Sequence, residues 1–159
     1  AFDHAKYGRF SPHPWIEFTV PSIADASLAP QGAHVLSAYA QFAPYTLREG
    51  NWDAPRDTFG ECVINTLEQY APGIKSLIVA AEILTPLDLE RGWGLTGGQI
   101  FHGELSLDQF FTMRPLLGYG QYSTPLRGLY LCSNGTHPGT GLTAGSGINA
   151  AREIARLLS

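Results

Sequence analysis

Residues 133–141, Ser-Asn-Gly-Thr-His-Pro-Gly-Thr-Gly, have the composition and spacing to do chemistry through their backbone. Three glycines in nine positions remove the Cβ atoms that keep a main chain away from a ligand. The short apolar run Gly-Leu-Tyr-Leu-Cys precedes the loop at 128–132 and reads as a buried, parallel strand. Ile148, Ala151, Ala155 and Leu158 follow at helical spacing, marking an amphipathic helix that runs to the end of the chain. Strand, glycine-rich loop and helix together present N–H groups and the positive end of a helix dipole to a phosphate or a flavin. The same arrangement also serves as a plain turn between two elements, and the residues of the loop leave both readings open.

The polar side chains near apolar sequence are His137, inside the loop, and the cluster His102-Gly103-Glu104. Each histidine can serve a pocket, or simply hydrogen-bond a nearby carbonyl. Other signals fail on spacing. The loop lacks the G-x-G-x-x-G pattern of common dinucleotide sites, and the chain has no G-x-x-x-x-G-K-[ST]. His102-x-Glu104 matches half of a zinc deaminase signature, but no P-C-x-x-C follows. Gly145-Ser146-Gly147 is not a nucleophile elbow. Asn134-Gly135-Thr136 has the form of a glycosylation sequon, which a cofactor-type loop can contain by chance. No catalytic residue and no metal ligand set is assigned.

Composition narrows the class. The 159 residues carry a net charge of −4, and no Lys/Arg run occurs, which argues against nucleic acid as a partner. Only 15% of residues are charged, below the usual quarter. Such a deficit fits a surface covered by another domain, a subunit or a cofactor; a Gly- and Pro-rich protein with long loops fits it too. The stretch 78–84 is far too short to span a bilayer. Cys62 and Cys132 read as small buried hydrophobes rather than a disulfide. The opening Ala1-Phe2-Asp3-His4 resembles no signal peptide, and the expectation is an excised piece of a longer protein.

The elements that must position the loop are legible in part. Residues 1–14 read as irregular. Residues 15–20 form a strand stopped by Pro21, and 34–42 a second strand of an antiparallel sheet with one buried side. Asp53-Ala54-Pro55 reads as a helix start with a capping carboxylate, and Phe59, Val63, Leu67 and Tyr70 continue it to 71–73. Residues 74–85 are β-branched and apolar and read as a third strand. Helical turns are expected within 86–93 and 105–111.

Residues 128–154, GLYLCSNGTHPGTGLTAGSGINAAREI, resemble the C-terminal FAD-binding motif of phytoene-desaturase-like oxidoreductases. Residues 84–109, LTPLDLERGWGLTGGQIFHGELSLDQ, and Pro21-Ser22 with Asp25, Ser27, Ala29-Pro30 and residues 32–35 resemble the pyridine nucleotide-disulfide oxidoreductase domain-containing branch of that superfamily. The resemblance implies an α+β or α/β fragment. Residues 1–127 would end a substrate domain built on an antiparallel sheet with helices. Residues 128–159 would supply the last strand, loop and helix of a Rossmann-type FAD domain.

It also implies roles. Gly135, Thr136, Pro138, Gly139, Gly141, Leu142, Thr143 and Ala144 would contact FAD, with the helix start near the pyrimidine end of the isoalloxazine. His102, Glu104 and His137 would face the substrate pocket. Ser133 departs from the glycine usual in the family and would put a side chain beside the cofactor. The activity implied is hydride transfer from an apolar small molecule to flavin, as in dehydrogenases, desaturases or isomerases. The partner implied is an N-terminal FAD-binding half, without which this chain is expected to be inactive and to hold no FAD. A homo-oligomer is a further expectation, and a non-catalytic interaction or oligomerisation module is the alternative. The implied location is the cytoplasm in a bacterium or the mitochondrion in a eukaryote.

Overall fold

The computed structural model describes residues 1–139, 141 and 143–159. These divide into two compact units, residues 1–88 and 89–159.

The first unit is organised by aromatic packing. Trp52 is fully buried, stacked on Phe10 at 5.6 Å between ring centroids and edge-on to Phe59 at 5.3 Å. Its indole N–H donates to the Pro44 carbonyl at 2.9 Å, which satisfies the only polar atom the ring buries. Helix α1 (Phe2–Lys6) precedes this cluster, where an irregular segment was expected. Strands β1 (Trp15–Thr19) and β2 (Ser37–Gln41) pair antiparallel, with Glu17 opposite Tyr39. The pairing matches the expectation from sequence, but the buried side does not: neither strand buries a residue, and Trp15, Phe18 and Tyr39 are exposed. Two strands without a covering layer have nothing to bury against. Between them, buried Ser22 accepts the Val35 N–H at 3.0 Å and lies 3.1 Å from His34 Nδ1, which fixes the connecting loop.

Helix α2 (Arg56–Tyr70) buries Phe59, Gly60, Thr66 and Leu67. Its N-cap is Pro55, without a side-chain cap, rather than the expected Asp53. Gly60 is a close-approach glycine, because a Cβ there would lie 2.3 Å from Ile83 Cδ1. Helix α4 (Pro86–Trp93) opens on a reciprocal cap. The Thr85 N–H and hydroxyl donate to Asp88 Oδ2 at 2.8 and 2.6 Å, and the Asp88 N–H lies 3.3 Å from Thr85 Oγ1. Arg56 pairs with Asp88 Oδ1 at 2.6 Å, joining the first turn of α2 to this cap.

The strand expected over 74–85 is absent. A four-residue helix, α3 (Ile74–Leu77), takes its first part, and the remainder has no regular secondary structure, with Val79 fully exposed. The cause is local. The Glu68 carboxylate accepts the N–H groups of Gly73 at 2.7 Å and Lys75 at 2.8 Å, and this capping turns the chain helical. Gly73 sits at φ 92°, a conformation that an L side chain rarely adopts. Among the described residues no neighbouring strand offers 74–85 a ladder.

The same contacts set a pH dependence. The Gly73 N–H, and next the Lys75 N–H, hold the Glu68 carboxyl below the usual carboxylate range, against a smaller opposing desolvation. Its contribution to this turn is therefore present above the ordinary Glu value of about 4.3 and is lost as pH falls through the depressed one. In an NMR titration, the Gly73 and Lys75 amide shifts are expected to move together with the Glu68 carboxyl, at a midpoint below that of an unstructured Glu. In Glu68→Gln that transition should vanish. A midpoint at or above the ordinary value would show that the two amides do not bind the carboxylate.

Candidate functional site

The glycine-rich loop lies in the second unit, between a short turn and helix α5 (Gly145–Leu158). The run at 128–132 is not a buried parallel strand. It forms one arm of a local antiparallel turn with a single bridge, Ser123 to Tyr130. The Leu131 N–H donates to the Tyr122 carbonyl at 2.8 Å, and Thr124 Oγ1 donates to the Leu129 carbonyl at 3.0 Å. Leu129, Leu131 and Cys132 are exposed, so Cys132 is not the buried hydrophobe expected; both cysteines are free thiols. The turn at 124–129 closes on itself, leaving the apolar run without flanking strands among the described residues.

Beyond it, the chain folds into a tight turn over 133–136. The Thr136 N–H and hydroxyl both donate to the Ser133 carbonyl at 3.0 Å, and the Ser133 N–H lies 3.3 Å from Thr136 Oγ1. Thr136 is buried as a result. Ser133 Oγ accepts the Gly135 N–H at 3.1 Å, so the extra side chain is used inside the turn.

Arg114, which the sequence patterns did not single out, holds this turn from below. Its side chain is 1% exposed. Nε donates to the Asn134 carbonyl at 2.8 Å, Nη2 donates to the same oxygen, and Nη2 reaches the carbonyls of Phe101 at 2.8 Å and His102 at 3.4 Å. Gly139 (φ 69°) packs directly on it: a Cβ there would lie 2.6 Å from Nε and 3.0 Å from the Asn134 carbonyl. Tyr122 grips the loop from another side, its hydroxyl donating to the His137 carbonyl at 2.9 Å. Pro138 then meets the start of α5, where a Cβ on Gly145 would lie 3.1 Å from Pro138 Cγ.

Gly141 (φ 73°) has no atom of the other described residues within 4 Å of an added Cβ. Leu142, assigned to the cofactor from sequence, lies outside the described residues. The Thr143 N–H donates to the Gly141 carbonyl at 3.0 Å, and Ala144, the N-cap of α5, takes φ 55° and gives the helix no side-chain cap. The first turn of α5 therefore presents backbone N–H groups and the positive end of a dipole beside an open glycine.

Of the three residues expected at a pocket, two lie against this loop. The His137 ring is 6.0 Å from that of Phe111, and His102 Cβ is 3.9 Å from where Gly135 would carry a Cβ. Glu104 is exposed and makes no hydrogen bond or ion pair among the described residues. His102, Phe111, Tyr122 and Ala144 all take positive φ, at 59°, 50°, 67° and 55°. Strained non-glycine backbone of this kind concentrates where a surrounding structure fixes a functional geometry. Gly92-Trp93-Gly94-Leu95-Thr96-Gly97 has the G-x-G-x-x-G spacing, but it spans the end of α4 and a single helical turn at Thr96–Gly98. It follows a helix rather than a strand, so it lacks the context of a dinucleotide fingerprint. Among the described residues no cluster of His, Cys, Asp and Glu could hold a metal ion, and no helix is long and apolar enough to cross a membrane.

No family model matches the chain, and no solved structure does. Curated proteins do. The chain is 47% identical to pyridine nucleotide-disulfide oxidoreductase domain-containing protein 2 of Rattus norvegicus over 158 residues, covering 98% of this chain and 27% of that protein. It is 33% identical to the 4,4'-diaponeurosporene-forming 4,4'-diapophytoene desaturase of Staphylococcus aureus over 143 residues, covering 85% of this chain and 27% of the relative. The lycopene-forming phytoene desaturase of Pantoea ananas is 30% identical over 123 residues, covering 77% of this chain and 24% of the desaturase. The chain spans about a quarter of the length of these relatives. Over 98% of its own length it is similar to one segment of pyridine nucleotide-disulfide oxidoreductase domain-containing protein 2, and over 77–85% of its length, at lower identity, to the C-terminal part of phytoene desaturases.

Proposed function

We propose that this chain is the C-terminal segment of an FAD-dependent oxidoreductase, in which residues 133–144 and the start of α5 run along the flavin. The observation that carries the reading is the loop itself. Positive-φ glycines lead to an open Gly141 and to a helix start that its N-cap residue leaves without a side-chain cap. In this reading the main chain of Gly135, Thr136, Pro138, Gly139, Gly141, Thr143 and Ala144 approaches the cofactor, and Leu142 continues it. FAD, when bound, supplies an acceptor for a hydride from an apolar small molecule. The chain's own part is to hold the ring system in place and to favour negative charge at its pyrimidine end. The dipole of α5 contributes about 0.3–1 kcal/mol to that preference. His102 and His137 would border the substrate.

The rest of the dinucleotide's contacts come, in this reading, from an N-terminal half. Exposed apolar side chains support a covering partner of that kind: Leu129, Leu131, Ile148 and Leu157 in one unit, Leu77 and Val79 in the other. The 159-residue chain alone is therefore expected to purify colourless and to bind an apolar-surface dye. Fused in place of the matching segment of the rat relative, it should give a yellow protein with one FAD released per chain on denaturation, and the dye signal should fall. A folded fusion without flavin would overturn the reading.

Gly141 tests where the cofactor lies. In the fusion, Gly141→Val should weaken FAD binding by about tenfold or more, whereas Gly118→Val should not. Gly118 is a matched control, since both glycines have positive φ, 73° and 89°, and open space around an added Cβ. Both substitutions thus carry a similar backbone strain, of about 1–2 kcal/mol, which thermal unfolding will register in each. Equal flavin affinity in the two variants would place the cofactor elsewhere.

A further inference from the structure

Asn134 and Gly135 form the one Asn-Gly pair of the sequence, and they are the central residues of the turn that the Thr136 N–H closes on the Ser133 carbonyl. The covalent chain already keeps the Asn134 side-chain carbon Cγ close to the Gly135 nitrogen, so joining the two into a five-membered ring requires only torsion. Glycine lays no Cβ against that ring. Asn134 is half-buried, and among the described residues its side-chain amide makes no hydrogen bond. The amide is therefore free to turn toward the nitrogen.

The nucleophile in such a closure is the Gly135 nitrogen after it has lost its proton, and two features of the turn favour that form. Peptide resonance places much of the resulting negative charge on the Asn134 carbonyl oxygen. That oxygen already accepts Nε of Arg114 at 2.8 Å, and Nη2 as well. The guanidinium stays ionised, is 1% exposed, and forms no ion pair with a carboxylate among the described residues. Charged donors fixed at the atom where charge develops, away from water, are the arrangement of an oxyanion hole. On the other side, the Gly135 N–H donates to Ser133 Oγ at 3.1 Å, a hydroxyl that can relay the proton to solvent.

We propose that Asn134 is a site of self-modification, in which the Gly135 nitrogen attacks Asn134 Cγ while Arg114 stabilises the amidate. The N–Cγ bond forms and the bond from Cγ to the amino group breaks. That group leaves as ammonia, and the proton it takes up matches the one lost by Gly135. Water then opens the cyclic imide. Cleavage at Cγ gives aspartate. Cleavage at the backbone carbonyl gives isoaspartate, whose new carboxylate includes the oxygen that Arg114 holds. Either product brings a negative charge to the start of the glycine-rich loop. No cofactor takes part, so the inference stands apart from the flavin reading.

The test is incubation of the 159-residue chain in heavy-oxygen water at mildly alkaline pH, followed by tryptic digestion at mildly acidic pH and mass spectrometry. Asn134 and Asn149 fall in one peptide, residues 128–152, so Asn149 is an internal reference. Asn134 should exchange its amide for a labelled carboxylate about tenfold or more faster than Asn149. In Arg114→Gln, shown by thermal unfolding to be folded, that rate should drop by about tenfold or more. If the Gln variant does not fold, the parent decides: its native form should convert Asn134 faster than its urea-denatured form. An unconverted Asn134, a rate equal to that of Asn149, a folded Gln variant with the parent's rate, or, in the last case, a slower native form would overturn the proposal.

Discussion

The second unit depends on one buried guanidinium. Arg114 gathers carbonyls from two stretches that are distant in sequence, residues 101–102 and Asn134. Without it, the turn at 133–136 would have only its own short-range hydrogen bonds, and the histidine at 102 would lose its tie to the loop. Charge-assisted bonds to carbonyls are stronger than ordinary ones, and in a dry interior they hold geometry firmly. That stiffness lets a loop of small residues keep one shape. Glycines that permit close approach also permit motion, so a fixed point beneath them is required.

The first unit solves a similar problem with other means. Its elements are short and its two strands are uncovered, so its order comes from the Phe10–Trp52–Phe59 cluster and the Thr85–Asp88–Arg56 polar node. Asp88 caps one helix and pairs with the first residue of another. Each of its oxygens has a separate task, which suits a carboxylate's capacity to accept several bonds.

What the sequence disclosed followed from local patterns. The glycine loop, the amphipathic helix after it, the antiparallel partners at 15–19 and 37–41, and the helix centred on Phe59 and Leu67 are all signalled by spacing or by turn residues. The failures share a cause as well. Residues 74–85 and 128–132 have strand composition, but a strand needs a neighbour; the first was diverted by capping from Glu68, and the second closed on its own turn. Arg114 escaped notice because a side chain bonding to carbonyls 12–20 residues away leaves no periodicity and no motif. The positive φ of His102 and Tyr122 is equally invisible, since neither residue type signals it. The similarity to longer oxidoreductases supplies context that local patterns lack.

Tyr122 holds the chain at both ends of the segment that contains the tight turn. Its carbonyl accepts the Leu131 N–H, one residue before Cys132, and its hydroxyl donates to the carbonyl of His137. The residues between these grips therefore form a closed loop pinned at its base, like a handle fixed to a lid at two points. A force on that handle reaches the 122–131 turn through these two hydrogen bonds. A ligand settling on the glycines would reach, through one phenol ring, a turn that it does not touch.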